Sequence, residues 1–245
     1  MSIFIAWGNI HQSYPFEQIP TALLTPKLRQ TPPEQPRLLQ RYRCRWVAHF
    51  LLWELLKTAK ISTALLSQIA YSQSQRPYFP DPSIDFNISH SGDWVAVMLS
   101  VNEKASQKQS AVGIDIEFPQ KARDYAALLG YFASEQEQQW FAKQPDKKNA
   151  FYRIWCLREA LLKSQGVGIV KLSEVDHQAD DLQLFSAHCP QGEAIFTQEL
   201  PFYLSAFANE TLAAAHYFYW NDKGLKQTEL KQKIGYKVNP TLTDF

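Results

Sequence analysis

Apolar and polar positions along this chain alternate between two periods, one near 3.6 residues and one of 2. Leu39, Tyr42, Trp46, Phe50 and Trp53 recur at three- and four-residue steps, which predicts a helix with one apolar face over about four turns. Arg41 and Arg45 lie four apart on a neighbouring face of it, and Arg43 points roughly the other way. Before that helix, the β-branched and aromatic run of residues 2–7 reads as a first strand. Pro26, Pro32, Pro33 and Pro36 make the stretch between them a loop. Residues 84–89 alternate apolar and polar, as a half-buried strand does. His90-Ser91-Gly92-Asp93 then supplies a turn, and residues 94–99 read as the partner strand of a hairpin.

The second half opens with another alternating strand at residues 111–117. A long helix follows from about Asp146 to Ser164, with Gly166 as its stop signal. Two or three further strands are expected between Val170 and Tyr219. Residues 102–110 are polar and rich in lysine, glutamine and serine, so they read as a linker. From Asn221 the chain turns polar and basic without a clear period, leaving open whether this end is ordered. The pattern thus divides the chain into 1–109, 110–220 and a tail at 221–245. Both large parts share a loose plan of one long helix with several short strands.

The chain has 245 residues, 45% of them hydrophobic, enough to bury a full core in one large domain or two small ones. A net charge of +1 gives no global signal for nucleic-acid binding. An anionic ligand would have to be met by a local basic cluster. The three cysteines, Cys44, Cys156 and Cys189, include no Cys-x-x-Cys pair, which argues against a disulfide framework or thiolate zinc site and suits a reducing compartment. No apolar run reaches about 18 residues, so no membrane span is expected. A cytoplasmic protein is the expectation.

Candidate chemistry changes this picture in the second half. Along residues 112–117 the side chains alternate faces, putting Asp115 and Glu117 on one side with Cα atoms roughly 6.5–7 Å apart. Gly113, on the same face, would leave room for a ligand. The competing reading is an edge strand with a solvated acidic face. On the second helix Trp155, Glu159 and Lys163 form one stripe, either an ordinary surface ion pair or, given the tryptophan, a covered face. Asp115, Glu117 and Glu159 together would make an all-oxygen site, suited to magnesium or manganese. Arg76-Pro77-Tyr78 offers a guanidinium beside a stiff residue, and Ser89-His90-Ser91 places a histidine and two hydroxyls at a turn. Arg41 and Arg45 could form a two-pronged phosphate clamp. Each of these is weak alone.

Their joint order is specific. Arg76-Pro77-Tyr78 precedes Asn87-Ile88-Ser89-His90-Ser91-Gly92, then Val112-Gly113-Ile114-Asp115-Ile116-Glu117, then residues 151–163, Phe-Tyr-Arg-Ile-Trp-Cys-Leu-Arg-Glu-Ala-Leu-Leu-Lys. That series resembles the 4'-phosphopantetheinyl transferase superfamily, in its longer, surfactin-type form. The resemblance implies an α+β fold with a pseudo-twofold arrangement of two similar halves. Each half would be a long helix on a small antiparallel sheet, with coenzyme A in the cleft between them. It implies magnesium held by Asp115, Glu117 and Glu159 against the pyrophosphate of coenzyme A, with Lys163 on the phosphates. His90 and Arg76 would meet the adenosine and phosphate end, with Ser89 a further coenzyme A contact and one or more of Arg41, Arg43 and Arg45 on phosphate, Arg41 and Arg45 being favoured by the helix face they share. One departure is Arg158, where the family usually has lysine; it points away from the Glu159 stripe, so little effect is expected.

The implied reaction is attack by a serine of an apo acyl, peptidyl or aryl carrier protein on the β-phosphorus of coenzyme A, expelling 3',5'-ADP. Catalysis would fall to Glu117, Glu159 and Lys163, with no choice made between the glutamates and water as the base. A monomer acting on a protein partner, without nucleic acid or membrane, is expected. The competing readings are a non-catalytic coenzyme A or carrier-protein binder on the same fold, and a metal-dependent phosphohydrolase. Asp115→Ala is expected to abolish turnover while leaving the fold intact, which a thermal unfolding scan beside an activity assay would check.

Overall fold

The computed structural model describes residues 2–102 and 110–241, so most of the expected linker at 102–110 lies outside the described residues. Strand β1 (Ser2–Asn9) leads through a proline-rich stretch to helix α1 (Pro36–Thr58). Pro36 opens α1, where its missing N–H costs nothing and its fixed φ already suits a helix. Strands β2 (Ala70–Tyr71) and β3 (Pro77–Tyr78) pair with each other. Strands β4 (Ile84–Ser91) and β5 (Trp94–Val101) form a hairpin. Gly92 takes its first turn position at φ 57, which glycine adopts without a side-chain clash. There follow β6 (Val112–Glu117), α2 (Tyr125–Leu129), α3 (Glu135–Lys143) and α4 (Lys147–Ser164). The chain finishes with β7 (Asp176–Gln178), β8 (Gln183–Phe185), β9 (Gly192–Thr197), β10 (Tyr203–Ala208), β11 (His216–Trp220), β12 (Leu225–Thr228) and β13 (Lys233–Val238).

These elements sort into two compact units. Met1–Ser110 and Ala214–Glu229 form one; Ala111–Ala213 and Leu230–Phe245 form the other. In the first, the sheet runs β12-β11-β1-β5-β4 and α1 packs on β5 and β1. Its core joins Phe50, Leu51 and Leu55 of α1 to Phe86, Val95, Val97 and Leu99 of the hairpin. In the second, the sheet runs β6-β10-β9-β13-β8-β7 and α4 packs on β6, β10 and β9. Each unit follows a strand, long helix, hairpin order in which the first strand lies antiparallel to the hairpin's second strand: β1 on β5, β6 on β10.

The structure departs from the expected division in one respect. The described residues 221–241 join both sheets: β12 pairs with β11 in the first, and β13 lies between β9 and β8 in the second. Neither sheet is purely antiparallel, because β11 runs parallel to β1 and β13 parallel to β8. Between Val170 and Trp220 the chain forms five strands, β7 to β11, rather than two or three.

Helix α4 is fixed at both ends and along one flank. Asp146 caps its start by accepting from the Asn149 amide at 2.9 Å. At its end Gly166 (φ 67) carries a Schellman pattern, with Val167 N donating to Leu162 O and Gly166 N to Lys163 O. On the flank, Arg158 does turn away from the Glu159 stripe, but it is far from inert. It is 1% exposed, and its guanidinium grips Glu137 of α3 through both arms. It also donates to the carbonyls of Leu172 (3.1 Å) and Val175 (2.9 Å). His177 Nδ1 meets the same carboxylate at 2.8 Å.

Burial would raise the Glu137 pKa, but His177 and Arg158 outweigh it and hold it below the ordinary range. Burial likewise keeps His177 neutral, below its ordinary value. The two shifts act in the same direction: stability is present near neutrality and falls as acid protonates the unfolded histidine first and then Glu137. Glu137→Ala would strand a buried guanidinium, so it is expected to cost about 3–5 kcal/mol. Urea unfolding at pH 7 measures this; a loss below ~1 kcal/mol would show that the pair does not anchor α4.

Candidate active site

Strand β6 and helix α4 carry the acidic motifs, and one glycine decides how they meet. A Cβ placed on Gly113 would stand 1.9 Å from the Ala160 carbonyl oxygen and 2.9 Å from the Ser164 amide nitrogen. The room that Gly113 leaves is therefore taken by the backbone of α4, not by a ligand. Since side chains alternate along a strand, Asp115 and Glu117 share that helix-facing side, while Val112, Ile114 and Ile116 point the other way and are buried. The acidic face is not solvated: Asp115 is 5% exposed.

From α4 the facing stripe is Tyr152, Cys156, Glu159 and Lys163. Lys163 Nζ donates to Asp115 Oδ1 at 3.0 Å. The Cys156 thiol, fully buried, donates to the Asp115 carboxylate; burial first and then the neighbouring charges of Asp115 and Glu117 push its pKa well up, so it stays a thiol. Glu159 Oε1 is buried with no hydrogen-bond partner among the described residues. Burial raises the Glu159 pKa to about 7, with Asp115 and Glu117 adding repulsion and Lys163 opposing it. Trp155 lies on the neighbouring flank, covered by Phe132 with ring centroids 5.7 Å apart.

The side chains on this face, Asp115, Glu117 and Glu159, offer carboxylate oxygens, a chemistry that suits a hard divalent cation better than zinc. Two observations fit such a group, the unpartnered buried oxygen of Glu159 and the mutual repulsion that lifts its pKa. Among the described residues no three His, Cys, Asp or Glu side chains stand together as a metal-holding group.

The first unit divides its predicted contacts between two faces of β4. Phe86, Ile88 and His90 line a cavity of about 370 Å³ together with Cys44, Arg45 and His49 of α1. His49 stays neutral there, its pKa lowered to about 4 by burial. Arg45 and His90 thus come together, while Arg41 lies exposed one helical turn away. By alternation, Asp85 and Ser89 belong to the opposite face of β4. Arg76 joins that side, held by Asp85 at 2.7 Å with both groups largely buried. Sequence reading missed the partners: Asp85 carries no motif signal, and Tyr152 and Cys156 sit inside the helical motif without assigned roles.

An acidic strand laid on a helix that returns a glutamate and a lysine marks this as an α+β protein with a buried, carboxylate-rich face. The comparisons narrow it. The family model of the 4'-phosphopantetheinyl transferase superfamily matches residues 111–215. A protein of Haemophilus influenzae, provisionally named a 4'-phosphopantetheinyl transferase, is 52% identical over 98% of this chain and 100% of its own. The 4'-phosphopantetheinyl transferase AcpT of Escherichia coli K12 is 31% identical over 69% of this chain and 78% of its own. The 4'-phosphopantetheinyl transferase psf-1 of Bacillus pumilus is 35% identical over 36% and 34%. The chain belongs to the 4'-phosphopantetheinyl transferase superfamily, enzymes that move the phosphopantetheine arm of coenzyme A onto carrier proteins.

An unfolded glutamate ionises near 4.5, whereas Glu159 holds its proton to about 7. The folded state therefore binds the extra proton between those values, and this group's contribution to stability falls as pH rises through that window. Asp115→Asn removes one source of repulsion and leaves burial in place. It is expected to lower the Glu159 pKa part of the way toward 4.5, followed by carbon-13 NMR titration; an unmoved value would mean the two carboxylates do not feel each other.

Proposed function

We propose that this enzyme transfers 4'-phosphopantetheine from coenzyme A to a serine of an apo acyl, peptidyl or aryl carrier protein, in a magnesium-dependent reaction that releases 3',5'-ADP. The observation that carries this reading is the facing pair of stripes, Asp115 and Glu117 on β6 against Glu159 and Lys163 on α4. Asp115, Glu117 and Glu159 would hold the magnesium, with manganese as a substitute. When bound, the cation supplies charge neutralisation for the pyrophosphate.

The chain's own residues do the rest. The serine oxygen forms a bond to the β-phosphorus as the bond to the bridging oxygen breaks, and 3',5'-ADP carries away the electron pair. Lys163, whose ammonium donates to Asp115 here, would offer that positive charge to the phosphate oxygens. Glu117 or Glu159 accepts the serine proton; with a pKa near neutrality, Glu159 is well matched to such a task. The cavity with Arg45 and His90 offers positive charge at the edge of an apolar hollow, the combination a phosphorylated adenosine needs. Arg41 extends the positive charge along α1, and Arg76 and Ser89 are proposed as further contacts at this end. Positioning and electrostatics carry most of such a reaction, so a nucleophile from the enzyme is not needed.

We place the reaction in the cytoplasm, with the enzyme a monomer. Cys44, Cys156 and Cys189 are all free and buried, as suits a reducing compartment, and no described helix is long and apolar enough to cross a membrane. Intact-mass measurement of several apo carrier proteins after incubation with the enzyme, coenzyme A and magnesium tests the proposal. A gain of one phosphopantetheine unit that a chelator prevents is the expected outcome. Coenzyme A binding with no gain on any carrier would favour the non-catalytic binder, and cleavage of coenzyme A without a carrier would favour a hydrolase.

A further inference from the structure

The stripe on α4 holds one polar group that the proposed reaction does not use. Tyr152 is 1% exposed, and its hydroxyl is buried with no hydrogen-bond partner among the described residues. A buried hydroxyl without a partner destabilises a fold relative to an apolar group of the same shape. Packing alone would therefore prefer phenylalanine here, and an unsatisfied group of this kind calls for another explanation.

Position supplies one. Helix α4 and strand β6 run antiparallel, because Gly113 meets Ala160 and Ser164 whereas Asp115 meets Cys156. One turn back along the helix from Cys156, about 6 Å, is Tyr152. Two residues forward along the strand from Asp115, about 6.6 Å, is Glu117. The two steps match, so Tyr152 stands to Glu117 as Cys156 stands to Asp115. The Tyr152 ring lies stacked on Tyr203, with centroids 4.8 Å apart and planes 14° from parallel. Tyr203 is the residue directly opposite Glu117 across the β10–β6 ladder. Burial pushes the phenol pKa up to about 12 against a smaller downward pull from Arg123, so the group keeps a proton to donate.

We propose that Tyr152 is a positioning residue: in the loaded site its hydroxyl donates to the Glu117 carboxylate and fixes which oxygen of that group faces the cation. Cys156 performs the same service for Asp115 one turn along. This inference rests on the magnesium-dependent reading of the site given above. A ligating carboxylate whose outer oxygen is held by a donor binds its metal in one orientation, and losing such a donor weakens metal binding rather than the fold.

Tyr152→Phe, compared with the parent chain, tests this through thermal unfolding, Mn2+ binding by electron paramagnetic resonance with coenzyme A present, and carrier loading. The expected result is an unchanged or higher unfolding temperature, Mn2+ affinity weaker by roughly 10–100-fold, and loading restored by raising the metal concentration. Equal Mn2+ affinity in the two chains overturns the assignment, whatever the loading assay gives. A lowered unfolding temperature with parental Mn2+ affinity also overturns it and marks the hydroxyl as structural. Failure of the transferase reading looks different: the parent chain itself would load no carrier, while the Mn2+ comparison could still be read on both chains.

Discussion

The contact on which the rest of the second unit depends is the approach of the α4 backbone to Gly113. No side chain separates helix from strand at that point; even a methyl group would collide with the Ala160 carbonyl. Close approach turns two ordinary elements into a matched pair. A helical turn advances about 5.4 Å and a strand dipeptide about 6.6 Å, so successive groups on α4 meet successive groups on one face of β6. Farther apart, the same carboxylates would be solvated and screened from each other. At this distance they share a desolvated layer, and the charges of Asp115 and Glu117 add to burial in raising the Glu159 pKa.

The second unit uses buried charge in two ways. Around Glu137 every charge is answered: Arg158 grips both carboxylate oxygens and His177 adds a third contact. That network fixes α3 and the turn after α4 to the helix and leaves nothing to react. Around Asp115 the count is deliberately uneven, with three carboxylates facing one lysine and one thiol. Burial first, and then repulsion from Asp115 and Glu117, make Glu159 hold its proton toward neutrality, the kind of imbalance that functional sites carry while the surrounding fold compensates. Arg158 and Glu159 are adjacent in sequence, so one helix position anchors the fold while the next faces the acidic strand.

Much of this was legible in the sequence. The helical stripes of α1 and α4, the β4–β5 hairpin and the β6 alternation follow directly from apolar periodicity, and Gly92 and Gly166 mark the turn and the stop where the backbone needs positive φ. The last 25 residues were not legible, although Ile234, Tyr236 and Val238 do alternate inward. Lysines at 233 and 237 and a glycine at 235 fill the outward positions and mask the period. The short strands β7 and β8 are too brief to show any pattern. Within the site, residue types and order pointed to Asp115, Glu117, Glu159 and Lys163, but pattern alone assigned Gly113 to a ligand and the acidic face to solvent. Whether an unsided strand faces water or a helix depends on what folds onto it. The same limit applies to β4, where Ser89 and His90 are neighbours in sequence and belong to opposite faces.

The return of the chain to the first sheet at β11 and β12, before β13 completes the second, has a consequence for folding. Strand β1 needs β11 beside it, pairing Phe4 with His216, so an early strand waits for one far along the chain before its sheet is whole. Contacts so distant in sequence slow folding, because the long loop between them must be closed before they contribute. Until then the free side of β1 is an open strand edge, the kind of surface that seeks other chains. Cutting the chain near residue 110 would leave the first piece without β11 and β12, which the later part of the chain supplies to its sheet. In this protein the boundary between units in space is not a boundary along the gene.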